Sequence, residues 1–292
     1  MTTLSITFIG FGEVASIFSE VAREHGAAVA AYDVLLEREG GAEILNGRAR
    51  VGGIRFLSLQ DAISEADCIL STVTTHVAAD AARACAEYLC AGQVYLDLNA
   101  TAPSVKCEIG RIVTETGADF VEGAVLGAVG VTGAATRMLT GGGKGAEVAE
   151  VLNGLGLNAA FYSPEIGKAS TFKMLRSVFS KGLEALILEF LIAGKRAGIQ
   201  DDLWAEAVEL LAQHPFDRVA ANWVQTHAVA CERRWHEMTQ VLDVMRDLGL
   251  SPVIKAATEA FFERSCGLGL RDAFFEKPDD MDAVVDFMEK RL

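Results

Sequence analysis

The sequence predicts two domains: an α/β domain built on a doubly wound parallel sheet over 1–163, then an all-α domain over 164–292. Three observations carry this reading. From residue 4 to about 140, short apolar runs alternate with Ala-rich helical stretches, the β-α-β rhythm of a parallel sheet with right-handed crossovers. Beyond Pro164 that rhythm stops, and from Gly167 to Leu292 helical periods dominate with no strand signal. At 292 residues, each part is long enough to bury a core of its own.

The elements follow in order. LSITFIG (4–10), AAVAAYD (27–33), CILSTV (68–73), VYLDLN (94–99) and ADFVEGAV (118–125) are strand candidates, each an apolar run ending at polar or glycine residues. EVASIFSEVAREHG (13–26) reads as a helix between the first two, closed by Gly26. HVAADAARACAEYLC (76–90) lies between the third and fourth strands, and SVKCEIGRIVTETG (104–117) between the fourth and fifth. After GGGKG a further helix, 145–156, leads to the short strand NAAFYS, 158–163. The strongest apolar run, LEALILEFLIAG (183–194), contains Glu184 and Glu189 and is too short to span a bilayer, so it reads as a buried helix.

Composition narrows the function. The formal net charge of −14 argues against binding a polyanion through a general basic surface, although a local cluster of donors still suits a small anion. The six cysteines show no CxxC pair and no metal-ligand spacing, and read as reduced, mostly buried thiols of a cytoplasmic protein. HEMTQ (236–240) lacks the second histidine of a zinc-protease helix, so no metal is expected. The start, MTTLSITFIG, has neither a charged region nor a small-residue cleavage site, and is not read as a signal peptide.

The most specific local signal is TFIGFGEVAS, which places Gly10, Gly12 and Ala15 in the pattern G-x-G-x-x-A between the first strand and the first helix. Gly10 permits the tight turn, Gly12 lets backbone approach a pyrophosphate, and Ala15 allows close helix–strand packing. The helix N-terminus then offers free N–H groups and a partial positive charge to phosphates. Asp33, twenty-one positions beyond Gly12, is the acid expected to hold a ribose diol, which makes this a Rossmann dinucleotide turn. The plainer reading is a generic α/β turn that uses glycine for backbone freedom. Asp33 favours NAD over NADP by repelling a 2′-phosphate, and Arg38 softens that preference.

With this turn, three stretches make the sequence resemble the β-hydroxyacid dehydrogenases, the group containing 3-hydroxyisobutyrate and 6-phosphogluconate dehydrogenases. GKASTFK (167–173) matches the family's G-x-G-x-x-x-K, with Ala169 in place of the second glycine and Lys173 in the catalytic lysine position. DLNATAP (97–103) stands where the family has D-x-S-T-x-x-P, so Asn99 replaces a substrate-binding serine. VEGAVLGA (121–128) stands for D-A-P-V-S-G-G, so Leu126 replaces another, and Arg176 and Ser177 replace two asparagines. The resemblance implies a divergent branch with a cofactor set of Gly10, Phe11, Gly12, Glu13, Val14, Ala15, Asp33, Thr72, Val73, Thr74 and Asn99. It implies substrate contacts from Asn99, Gly127, Arg176, Ser177, Lys181 and Glu237. Glu237, in HEM where the family reads K-D-L, either supports the lysine's network or is an exposed acid on an amphipathic helix. NAD is the expected cofactor, with NADP possible, and a homodimer through the helical domain is expected.

On a helix, Lys173, Ser177 and Lys181 share one face at i, i+4 and i+8. The general reading of such lysines is that they snorkel to solvent. In the resemblance, however, Lys173 meets the reacting oxygen, and an apolar setting lowers its pKa toward acid–base work. Lys181 is either an anion anchor or a snorkelling residue. The implied reaction is hydride transfer between NAD(P) and the β-hydroxyl or keto group of a small anionic hydroxyacid. The alternatives are a non-catalytic NAD(H) sensor, which has no need of Lys173, and an imine reductase or oxidative decarboxylase of the same fold.

Overall fold

The structure is a computed structural model that describes residues 3–49 and 51–292. β1 (Ser5–Ile9), α1 (Glu13–Glu24) and β2 (Ala28–Tyr32) form the first expected β-α-β unit. Next come α2 (Gly41–Arg48), β3 (Arg55–Phe56) and α3 (Leu59–Ser64), in a stretch without a clear sequence signal. The alternation resumes with β4 (Cys68–Ser71), α4 (Ala78–Ala86), β5 (Val94–Asp97), α5 (Pro103–Thr114) and β6 (Asp119–Val125). The short α6 (Val129–Thr132), β7 (Arg137–Gly141), α7 (Gly145–Gly154) and β8 (Asn158–Ser163) complete the sheet.

The strand order is β3-β2-β1-β4-β5-β6-β7-β8. Six strands were expected from sequence, all parallel; the structure adds β3 and β7, and β7 runs antiparallel to β6. The reason lies in the connection between them. Between Val125 and Arg137 the chain holds only α6 and a turn, too little for a helix to cross the sheet and return in parallel. The central strands are buried on both faces, with Phe8, Leu70 and Leu96 toward one layer of helices and Ile9, Ile69 and Tyr95 toward the other. The order reverses between β1 and β4. A crevice opens there at the carboxyl ends of the strands, where open α/β sheets take their ligands.

The α/β unit extends to Ser177, beyond the expected boundary at 163, because the start of α8 (Lys168–Ala197) is fastened to the sheet. Glu122 of β6 accepts from Gly167 N at 2.8 Å, Ala169 N at 3.1 Å and Ser170 Oγ at 2.7 Å.

The second unit, from Val178, is all helical: the rest of α8, then α9 (Gln200–Gln213), α10 (Phe216–Asp247), α11 (Val253–Cys266), α12 (Leu270–Ala273) and α13 (Met281–Glu289). Glu189, a charge inside the apolar run, caps α11 by accepting from Val253 N, Ile254 N and Lys255 N at 2.7–3.0 Å. The rest of that run is not the buried helix its composition suggests. Leu188 and Ile192 are more than half exposed, and Leu183 and Leu186 nearly so. Ala228, Cys231, Leu270 and Val284 form a small buried cluster. Two of the six cysteines, Cys90 and Cys107, are exposed, so the thiols are less buried than expected. Among the described residues, no helix is long and apolar enough to cross a membrane.

Candidate active site

The glycine turn is held by hydrogen bonds on every side. Gly10 has φ +82°, and a Cβ there would lie 2.8 Å from Val73 Cγ1 and 3.0 Å from Thr72 O, so only glycine fits. Its N–H donates to Tyr32 O at 2.8 Å, and its carbonyl accepts from Thr72 Oγ1 at 2.7 Å. Asp33 accepts from Phe11 N at 2.8 Å and from Leu35 N at 2.9 Å, one bond per carboxylate oxygen. Each oxygen keeps a free lone pair for a further donor such as a ribose hydroxyl.

Gly12 differs from Gly10 in kind. Among the described residues, no atom lies within 4 Å of a Cβ built on it and no side chain caps α1, whose first-turn N–H groups have no partner within the helix. Open space above uncapped donors is what an approaching pyrophosphate requires. A cavity of about 530 Å³ runs from this turn past Gly10, Phe11, Gly12, Asp33, Thr72, Val73 and Thr74. The residues therefore fit a dinucleotide. Ala15 is fully buried in the core, so its contribution is packing and not contact.

A second cavity, of about 570 Å³, shares Thr72, Val73 and Thr74 with the first. It gathers Glu13, Val14, Asn99, Gly127 and Lys173, and adds Thr75 and His76. Residues from five separate stretches of chain thus converge on one space. Lys173 is partly buried there, and its pKa is lowered, first by burial, then by the nearby Lys106 ammonium, while Asp97 opposes both.

Beneath this cavity lies a buried polar network. Lys106 Nζ is 2.8 Å from Asp97 Oδ2 and donates to the carbonyls of Asp97 at 2.7 Å and Gly123 at 3.2 Å, both side chains being essentially inaccessible. Burial pushes the Lys106 ammonium down, against Asp97 and then Glu122. The Asn99 amide donates to Asp97 Oδ1 and, at 2.9 Å, to Ser71 Oγ. The Asp97 carboxylate thereby fixes which end of the Asn99 amide is the nitrogen.

Other expected site residues are not among those lining this cavity. Ser177 Oγ donates to Lys173 O at 3.0 Å, and both Ser177 and Arg176 are exposed. Neither lines the cavity that holds Lys173. Lys181 and Glu237 belong to the helical unit, where Lys181 pairs with Glu184 at 3.0 Å and Glu237 with Arg233. Leu126 packs with Ala124, Leu139 and Ala169. Arg38, expected to temper cofactor choice, is exposed and lines neither cavity, whereas Arg48 lines the first. Lys106 and Glu122 had signals in the sequence: Lys106 shares the stripe of Ile109, Gly110 and Val113, and Glu122 interrupts an apolar strand. Among the described residues, no group of three His, Cys, Asp or Glu is placed to hold a metal ion.

Residues 5–163 match the NAD binding domain of 6-phosphogluconate dehydrogenase, and residues 195–265 match a domain of unknown function, DUF1932. A conserved hypothetical protein from Sinorhizobium meliloti 1021 is 30% identical, with 100% of this chain and 97% of that one covered and a TM-score of 0.63. A conserved protein of unknown function with structural similarity to 3-hydroxyacid dehydrogenases is 31% identical, over 92% of this chain and 98% of its own, with a TM-score of 0.62. The V8 variant of an imine reductase from Myxococcus stipitatus, in complex with NAD+, shares the fold, with a TM-score of 0.79 at 17% identity over 98% of this chain and 100% of that one. With its Rossmann sheet, its dinucleotide turn and the match over residues 5–163, the chain belongs to the family of NAD-binding, β-hydroxyacid dehydrogenase-like oxidoreductases typified by 6-phosphogluconate dehydrogenase.

Proposed function

We propose that this oxidoreductase interconverts the β-hydroxyl and keto forms of a small anionic hydroxyacid, with Lys173 as general acid–base. The observation that carries the reading is the placement of Lys173 in one cavity with Asn99, Gly127 and the Thr72–Thr74 turn, with its pKa lowered by burial and by Lys106. When bound, NAD supplies the hydride acceptor or donor. Lys173 Nζ takes the hydroxyl proton in oxidation and returns it to the carbonyl oxygen in reduction. Leu98, Val125 and Val129 line the same space and set apolar side chains beside the lysine. Asn99 and Gly127 contact substrate beside the lysine. Ser177 supports the lysine's helix turn, and Arg176 and Lys181 are assigned to the substrate's anionic end.

The test is a screen of β-hydroxyacids, hydroxy-amino acids, sugar acids and cyclic imines with NAD(H) and NADP(H), followed by Lys173→Met on the best substrate. The variant should keep its fold and NADH affinity while kcat falls at least about a hundredfold. A variant that retains more than about a tenth of native kcat, with chemistry rate-limiting, removes Lys173 from the chemistry. Turnover of imines and of no hydroxy compound would move the chain to C=N reduction. Unchanged KM in both Arg176→Ala and Lys181→Ala would remove both as anchors.

The exposed apolar face of α8 and α9, including Val178, Phe179, Leu188, Ile192 and Trp204, supports a homodimer through the helical unit. Light scattering after gel filtration should give twice the chain mass; a monomer at micromolar concentration would refute this.

A further inference from the structure

Arg48 closes α2 and is fastened to the glycine turn from two directions. Its Nη1 donates to Phe11 O at 3.1 Å, and its backbone carbonyl accepts from Ser16 Oγ of α1 at 2.6 Å. Phe11 is thus held on both sides of its backbone, its N–H by Asp33 and its carbonyl by Arg48. Arg48 lines the cavity that contains Gly12 and Asp33, and also a recess formed with Gly12, Glu13 and Ser16. It is the one cationic side chain lining either space among the described residues.

The charge around the turn makes that placement informative. A dinucleotide brings two phosphate charges to the N-terminus of α1, where the helix dipole is favourable. Here, however, the first helical residue is Glu13, whose carboxylate suits the free helix and repels an arriving diphosphate. Asp33 and Asp80 add negative charge along the same cavity. Guanidinium supplies five donors in a planar fork, so one hydrogen bond to Phe11 O leaves others for phosphate oxygens. We infer that Arg48 is a pyrophosphate-binding residue of the dinucleotide site, offsetting the acid that this chain carries at the helix N-terminus. The inference rests on the NAD-binding assignment and extends it to a residue outside the glycine motif.

The experiment is a titration of native protein and Arg48→Ala with NADH, NADPH, ADP-ribose and adenosine at several ionic strengths, read by nucleotide fluorescence or calorimetry. Arg48→Ala should weaken NADH, NADPH and ADP-ribose alike by about tenfold or more, leave adenosine unchanged, and flatten the salt dependence. Arg48→Lys, which keeps charge but loses the fork, should fall between the two. Unchanged NADH affinity in Arg48→Ala overturns the inference. A loss confined to NADPH also overturns it, by placing the guanidinium at the 2′-phosphate. Native protein that binds neither NADH nor ADP-ribose would remove the cofactor assignment itself, a result distinct from either. A ligand-free melting curve of Arg48→Ala matching the native one separates lost binding from lost folding.

Discussion

Replacing Lys106 with methionine should destabilise the α/β unit strongly, and the size of the effect follows from what surrounds the ammonium. Lys106 and Asp97 are 1% and 0% exposed, 2.8 Å apart, so removing the lysine strands a carboxylate in the core. It also withdraws the donor from the carbonyls of Asp97 and Gly123. Breaking a buried pair by deleting one partner costs about 3–5 kcal/mol. At about 2–4 °C per kcal/mol for a unit of this size, the melting temperature should fall by about 6–20 °C. The double variant Asp97→Asn/Lys106→Met removes both charges and keeps an amide beside Asn99. It should therefore regain about 1–3 kcal/mol relative to Lys106→Met alone. Calorimetry is the assay, because it separates the transitions of the two units. If Lys106→Met costs less than about 1 kcal/mol, or if the double variant is as unstable as the single, the pair is not the buried link described.

Gly12→Val should fold normally, since among the described residues its Cβ meets nothing within 4 Å, while NADH affinity drops at least about tenfold as the side chain fills the pyrophosphate's space. Unchanged affinity in a fluorescence titration would make the turn purely structural. Native protein should prefer NAD over NADP, and Asp33→Ser should narrow the gap while weakening both, because Asp33 also accepts from Phe11 N and Leu35 N. Steady-state kinetics showing a native preference for NADP would defeat this. In the oxidative direction, where neutral Lys173 is the active form, the rate should rise through a pKa below the ordinary lysine value of 10.5. That limb should vanish in Lys173→Met; a profile unchanged by the substitution assigns it to another group.

The fold and the site were not equally legible. Alternating apolar runs and helices fixed the order of β1, β2, β4, β5, β6 and β8, since a strand buried on both faces leaves a continuous apolar signature. β3 and β7 escaped because a two-residue strand and the run RMLTG carry almost no pattern of their own. Their pairing is imposed by the neighbouring strands. The exposure of Leu188 and Ile192 was missed for a different reason: hydropathy reports what a side chain avoids, not whether the covering surface belongs to the same chain.

The two ends of the site show the same division. The cofactor end is made mostly of backbone: a left-handed Gly10, an open Gly12, an uncapped helix, and an acid bonded to the turn. Backbone geometry restricts residue type severely, so it leaves a motif that can be read at fixed spacing. The lysine end depends on side chains brought together from β5, α5, β6 and α8, and on a charge network hidden beneath them. No fixed spacing encodes such a meeting. What the sequence does show is misplaced polarity, a lysine on the apolar stripe of α5 and a glutamate inside β6. A charge enters a core at considerable cost unless something there answers it, so each marks a partner still to be found. Asp97 answers Lys106, and the start of the lysine-bearing helix answers Glu122. Both anomalies therefore lead to the elements that carry Asn99 and Lys173, where the motif departs most from the family pattern.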